Sequence, residues 1–111
     1  MSQKYIKSQN KNSHSAAYGK YYATAVYDNR FVEASYSMFH NFFNIVGSDW
    51  NEGYSYMALC CYDLKRYDEF LEYLQKALKH NPQEARQVLS QLFPEGMKPE
   101  EYYEHMKKII K

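Results

Sequence analysis

The dipeptide Tyr27-Asp28 recurs as Tyr62-Asp63, 35 residues further on, and Arg30-Phe31-Val32-Glu33 recurs in type as Arg66-Tyr67-Asp68-Glu69, 36 residues further on. A chain with this period is expected to fold as stacked copies of one small unit, each too small to bury its apolar face alone. The one-residue difference is assigned to the turn inside the unit, where a deletion costs least. Around these landmarks apolar residues recur at spacings of three and four and nowhere alternate strictly. That pattern predicts helices and no strand.

Read in order, the first helical face is Ala17, Tyr18, Tyr21, Tyr22, Ala25 and Val26, with Ser13 or Ser15 as cap and Asp28-Asn29-Arg30 as exit turn. The second is Phe31, Ala34, Met38, Phe39, Phe42, Ile45 and Val46, closed by Gly47 as a left-handed cap. Ser48 or Asp49 is expected to start the third, because Asp49 and Glu52 have the spacing of a capping box. Its face is Trp50, Tyr54, Met57, Ala58, Cys61 and Tyr62. After Lys65-Arg66 the fourth helix buries Tyr67, Phe70, Leu71, Leu74, Ala77 and Leu78, and Asn81-Pro82 ends it. A fifth runs from Pro82 to Phe93, and a sixth, after Pro99, carries Tyr102, Tyr103, Met106, Ile109 and Ile110.

Residues Gly53 to Pro82 resemble a tetratricopeptide repeat (TPR). Tyr54 stands at the first bulky position, Met57-Ala58 at the Leu-Gly pair and Cys61 at the aromatic position, and Leu64, Arg66, Tyr67, Glu69, Leu71, Gln75 to Leu78 and Asn81-Pro82 match the remainder. Phe70 departs from the small residue usual at its position. An earlier copy is degenerate: Ala23 and Ala34 hold the two small positions, but Asn41 replaces alanine and Val46 replaces proline. The resemblance implies an all-α fold of about six helices, antiparallel hairpins stacked as a short right-handed superhelix. It divides the chain into a flexible basic tail (1–13) and one TPR-like domain (14–111), made of a degenerate repeat (15–48), a clear repeat (49–82) and capping helices (83–111).

Composition narrows the class further. The chain has 111 residues, enough for one small core, and a net charge of +1, too weak a field to draw nucleic acid or acidic lipid to the whole molecule. Lys4, Lys7 and Lys11 form the basic tail, whereas residues 14–64 carry only Lys20 and Arg30 against Asp28, Glu33, Asp49, Glu52 and Asp63. No window has the roughly 18 consecutive apolar residues of a membrane span, and the polar start lacks a signal peptide's apolar core. A cytoplasmic protein is the expectation.

Catalysis needs convergent groups, and none is evident in the sequence. His14, His40, His80 and His105 have no paired spacing, and adjacent Cys60-Cys61 lack the separation by which two thiolates grip a metal. Glu101 and His105, one helical turn apart, are read as a surface pair in preference to a chelate. The expectation is therefore no enzyme, no catalytic residue, no metal and no cofactor.

What the resemblance implies instead is a concave groove, lined by the first helix of each repeat, that holds a peptide or a partner helix. Carried over position by position, the first repeat would present Lys20, Thr24, Tyr27 and Asp28, and the second Glu52, Ser55, Tyr56, Leu59, Tyr62 and Asp63. Tyrosine suits such a surface, being broad, apolar and able to hydrogen-bond. The alternative for Tyr27 and Tyr62 is packing within the fold. Family members that bind acidic C-terminal tails do so with Lys, Asn and Arg; Lys20 fits, but Thr24 and Tyr56 replace asparagines and Asp28, Glu52 and Asp63 would repel an anion. A neutral or basic apolar partner protein is the expectation. The other role considered is structural: self-association as a homodimer, or assembly within a larger complex.

Overall fold

The computed structural model describes residues 16–47 and 50–110. The basic tail (1–13), the caps expected from Ser13, Ser15, Ser48 and Asp49, and the side chains of Ala16, Ala17, Tyr18, Lys20 and Tyr21 lie outside the described residues. Among the described residues six α-helices follow one another: α1 Ala16–Asp28, α2 Val32–Ile45, α3 Tyr54–Asp63, α4 Tyr67–His80, α5 Pro82–Leu89 and α6 Tyr102–Ile110. Short 3-10 segments lie at Ser90–Leu92 and Pro99–Glu101, and the described residues contain no strand. The fold is all-α. Helix α1 packs on α2, α3 on α4, α5 on both α3 and α4, and α6 on α4. The helices group into two compact units that divide between Trp50 and Asn51. No helix among the described residues is long and apolar enough to cross a membrane.

The two hairpin turns have the same backbone. Among the described residues, Arg30 and Lys65, 35 residues apart, are the non-glycine residues with left-handed φ, at 67° and 62°. Phe31 and Arg66 follow with φ −96°, ψ 72° and φ −95°, ψ 74°. The Phe31 amide donates to the Val26 carbonyl at 3.2 Å and the Arg66 amide to the Cys61 carbonyl at 2.8 Å, a matching pair of bonds in matching places. The unit therefore repeats at 35 residues straight through the turn, and the one-residue deletion expected there does not exist. In this register Arg30 stands opposite Lys65 and Glu33 opposite Asp68, all four exposed, so the likeness at 36 is one of residue type and not of position.

Packing follows the same register. Ala23 and Ala58 are fully buried, as are Ser35 and Phe70, each pair 35 apart. Ser35 Oγ donates to the Ala23 carbonyl at 3.5 Å, so Ser35 takes the small place expected of Ala34, which is exposed. A second pair of positions exchanges bulk between the hairpins. In the first, a Cβ added to Gly19 would lie 2.6 Å from Phe42 Cδ1, so the glycine admits the ring. In the second, the equivalent residues are Tyr54 and Ala77, both buried. The Tyr54 ring meets those of Tyr73 at 6.5 Å and His80 at 5.3 Å, which flank Ala77 along α4. The large residue sits on the second helix in one hairpin and on the first in the other.

Three further expectations are corrected. Phe31 is 62% exposed and does not pack between helices, because it occupies the cap before α2. Helix α2 is closed by Val46, which turns extended, without Gly47 as a left-handed cap. Helix α3 starts at Tyr54 after Gly53 at φ 92°, several residues beyond Asp49, so Trp50 and Glu52 lie outside it. Trp50 meets Phe42 edge-on at 5.5 Å. On α4 Glu72 and Lys76, one turn apart, form an ion pair on the wet face at 3.5 Å.

Candidate functional site

Of the residues expected to line a groove, Thr24 and Tyr27 on α1 are half-buried and Asp28 is exposed; the Lys20 side chain lies outside the described residues. Glu52 is half-buried in the segment before α3, Tyr56 and Tyr62 are half-buried on α3, and Asp63 is exposed. Ser55 and Leu59 offer no open surface, at 0% and 4% exposure. Most of α3 is buried, with α4 and α5 packed on it, which leaves little of its circumference for a partner. Ser55 Oγ has no hydrogen-bond partner among the described residues. The Tyr62 ring meets Tyr67 at 5.9 Å and Phe70 at 5.3 Å, so much of this tyrosine is engaged in the hairpin's own packing. At the equivalent positions the first hairpin has Val32 and Ser35 in place of those two aromatics.

Asp28 and Asp63 share a placement that the helix dipole does not favour. Each is the last residue of the first helix of its hairpin, each is exposed, and neither helix has a basic residue in its last turn. A negative charge at a helix C-terminus meets the negative end of the helix dipole, a cost of about 0.3–1 kcal/mol. Helix α4 follows the favourable rule instead, with Asp68 and Glu69 in its first turn and Lys79 and His80 in its last. The Tyr-Asp pair thus recurs in both units at a place where the aspartate works against the helix.

The cysteines are shut away from chemistry. Burial and then Asp63 push the Cys60 thiol up to about 12, and burial followed by Glu69 and Cys60 does the same for Cys61. Both stay protonated in the folded state at neutral pH, and a protonated buried thiol is a poor nucleophile. In the unfolded chain they would ionise near their ordinary value of 9.0, so the unfolded state loses protons first as pH rises. The stabilisation is intact below about pH 9 and declines between there and about 12, by up to about tenfold in the folding equilibrium per thiol per pH unit. A native sample at pH 8 should leave both thiols unlabelled by a thiol reagent while a denatured one labels both. Rapid native labelling would show that α3 is not packed as described. Among the described residues no group of three His, Cys, Asp or Glu is placed to hold a metal ion. His105 packs edge-on against Phe93 at 5.7 Å.

One polar cluster escaped the sequence reading. The Gly53 amide, at the start of α3, donates to both carboxylate oxygens of Glu84 in the first turn of α5, at 2.9 and 3.2 Å. Asn81 caps α5 by accepting from the Glu84 amide at 3.1 Å, and its Nδ2 donates to the Asn51 carbonyl at 3.1 Å. Asn81 and Glu84 have capping-box spacing, but the glutamate reaches across to α3 and closes no local box. The sequence signal is Asn81-Pro82-Gln83-Glu84, a capping asparagine three residues before an acid, beside the proline that marks the helix break.

Comparison of this chain with protein-family models, curated proteins and solved structures returned no match in any of the three.

Proposed function

We propose that the chain is a non-catalytic protein-interaction module built from tetratricopeptide-like hairpins, and that the Tyr-Asp end of each hairpin's first helix contacts a neutral or basic apolar segment of a partner protein. The observation that carries this reading is the exposed aspartate repeated at the unfavourable end of both first helices, Asp28 and Asp63. Tyr27 and Tyr62, each beside its aspartate and half-exposed, add apolar area and a hydroxyl. The 35-residue identity of the two turns supports the tetratricopeptide-like unit, and the raised thiol pKa values fit a role without cysteine chemistry.

Asp28→Lys with Asp63→Lys tests it by affinity capture from native lysate. The double reversal places cations where the helix dipole favours them, so stability should hold or rise while capture of the principal partner falls by about tenfold or more. Unchanged capture, with the fold verified by circular dichroism, would remove both aspartates from the contact. A structural role through self-association is the second reading, favoured by Tyr22, Phe31 and Ile45, which are 57%, 62% and 61% exposed in the first unit. Light scattering that gives a monomer mass at every concentration would remove it.

A further inference from the structure

The second unit contains a hollow between α5 and the segment that leads into α6, about 820 Å3 in volume. That lies within the range of about 300–1,000 Å3 typical of pockets that enclose a ligand. All three prolines of the chain, Pro82, Pro94 and Pro99, line it. Proline fixes its own φ, so these walls are held in shape before anything binds. Phe93 and Tyr102, stacked with ring centroids 3.8 Å apart and planes 1° from parallel, contribute an apolar wall. The charges around it balance: Arg86 and Lys98 against Glu95 and Glu100, all four exposed. Gln83 adds a side-chain amide to the lining, and Gln91, whose Nε2 donates to the Val88 carbonyl at 3.1 Å, adds its amide oxygen, groups that match the donors and acceptors of a peptide backbone.

We infer that this hollow is a second binding site, separate from the Tyr-Asp ends, and that it takes an uncharged aromatic or aliphatic side chain presented by a short peptide segment of a partner. Balanced charge at the lining gives a strongly charged ligand no net attraction, while the proline and aromatic walls reward an apolar one. The amide lining orients the peptide that carries it.

The test is a nitrogen-15 NMR titration of the full chain with N-acetyl-tryptophanamide, a capped and uncharged aromatic residue. Saturable shifts confined to the amides of Ser90, Gln91, Gly96 and Met97 are expected, with a dissociation constant of about 1 mM. Gln83→Trp, which fills the hollow from the exposed side of α5, should weaken the probe by about tenfold or more, and Gln91→Trp serves if the first variant does not fold. Indole-3-acetate and tryptamine, the anionic and cationic counterparts, should bind more weakly than the neutral probe. Shifts that fail to saturate or fall outside the hollow, filled variants that bind as well as the parent, or a charged probe that binds as tightly as the neutral one would each overturn the assignment.

Discussion

Phe42→Ala is expected to lower the free energy of unfolding by about 3–5 kcal/mol, the range for emptying a fully packed phenylalanine site. Phe42 is 3% exposed, lies over the bare Cα of Gly19 and meets the rings of Phe43 at 5.4 Å and Trp50 at 5.5 Å, so its loss empties a packed site. The sharper expectation concerns Gly19. In the parent chain Gly19→Ala should destabilise, because its Cβ would stand 2.6 Å from Phe42 Cδ1. In the Phe42→Ala background the same substitution should stabilise by about 1 kcal/mol, the usual gain of alanine over glycine inside a helix. Urea unfolding of the four proteins of this double-mutant cycle gives the coupling directly. Additive effects would mean that Gly19 is not the residue that admits the ring.

Glu84→Ala should cost about 2–3 kcal/mol, a large effect for a residue with part of its surface in water. Its carboxylate is the acceptor for the Gly53 amide at the start of α3, and a bond from a buried donor to a charged acceptor carries about 1.5–3 kcal/mol. Loss of an acid from the first turn of α5 adds a few tenths through the helix dipole. Glu84→Gln, which keeps one acceptor oxygen and loses the charge, should fall between the two. Chemical denaturation reads the order parent, Gln, Ala. A loss below about 0.5 kcal/mol for the alanine variant, typical of an ordinary surface site, would show that the cluster does not tie α5 to α3.

The number of helices and their connections were legible in the sequence because each second helix carries a clear apolar stripe; Phe39 and Phe42 in α2, and Phe70, Leu74 and Ala77 in α4, are buried as the periodicity predicts. The exact register of the repeat was not. Arg30 and Arg66 look like counterparts by type, yet the left-handed residue is set by where the preceding helix releases the chain, which places Lys65 opposite Arg30. The start of α3 was misread for a related reason: Asp49 and Glu52 have capping-box spacing, whereas the helix begins at Gly53, whose amide is satisfied by a glutamate 31 residues away. No local pattern encodes a partner at that distance. Family positions also placed Ser55 and Leu59 on a surface that burial removes, because α5 follows α4 with Asn81 as their only separation and packs on α3. Asp28 and Asp63 were legible as a recurring pair, but their placement at helix ends became an argument only once the helix boundaries were known.

Whether the chain carries one hairpin twice, in a 35-residue register, is tested most directly by the unfolding free energies of three glycine variants. A non-glycine residue at left-handed φ costs about 1–2 kcal/mol, which glycine relieves. Arg30→Gly and Lys65→Gly should therefore each stabilise, by similar amounts of about 1 kcal/mol, while Arg66→Gly, at φ −95°, should be neutral or destabilising. Opposite signs at Arg30 and Lys65, or a gain from Arg66→Gly that matches the gain at Arg30, would contradict it.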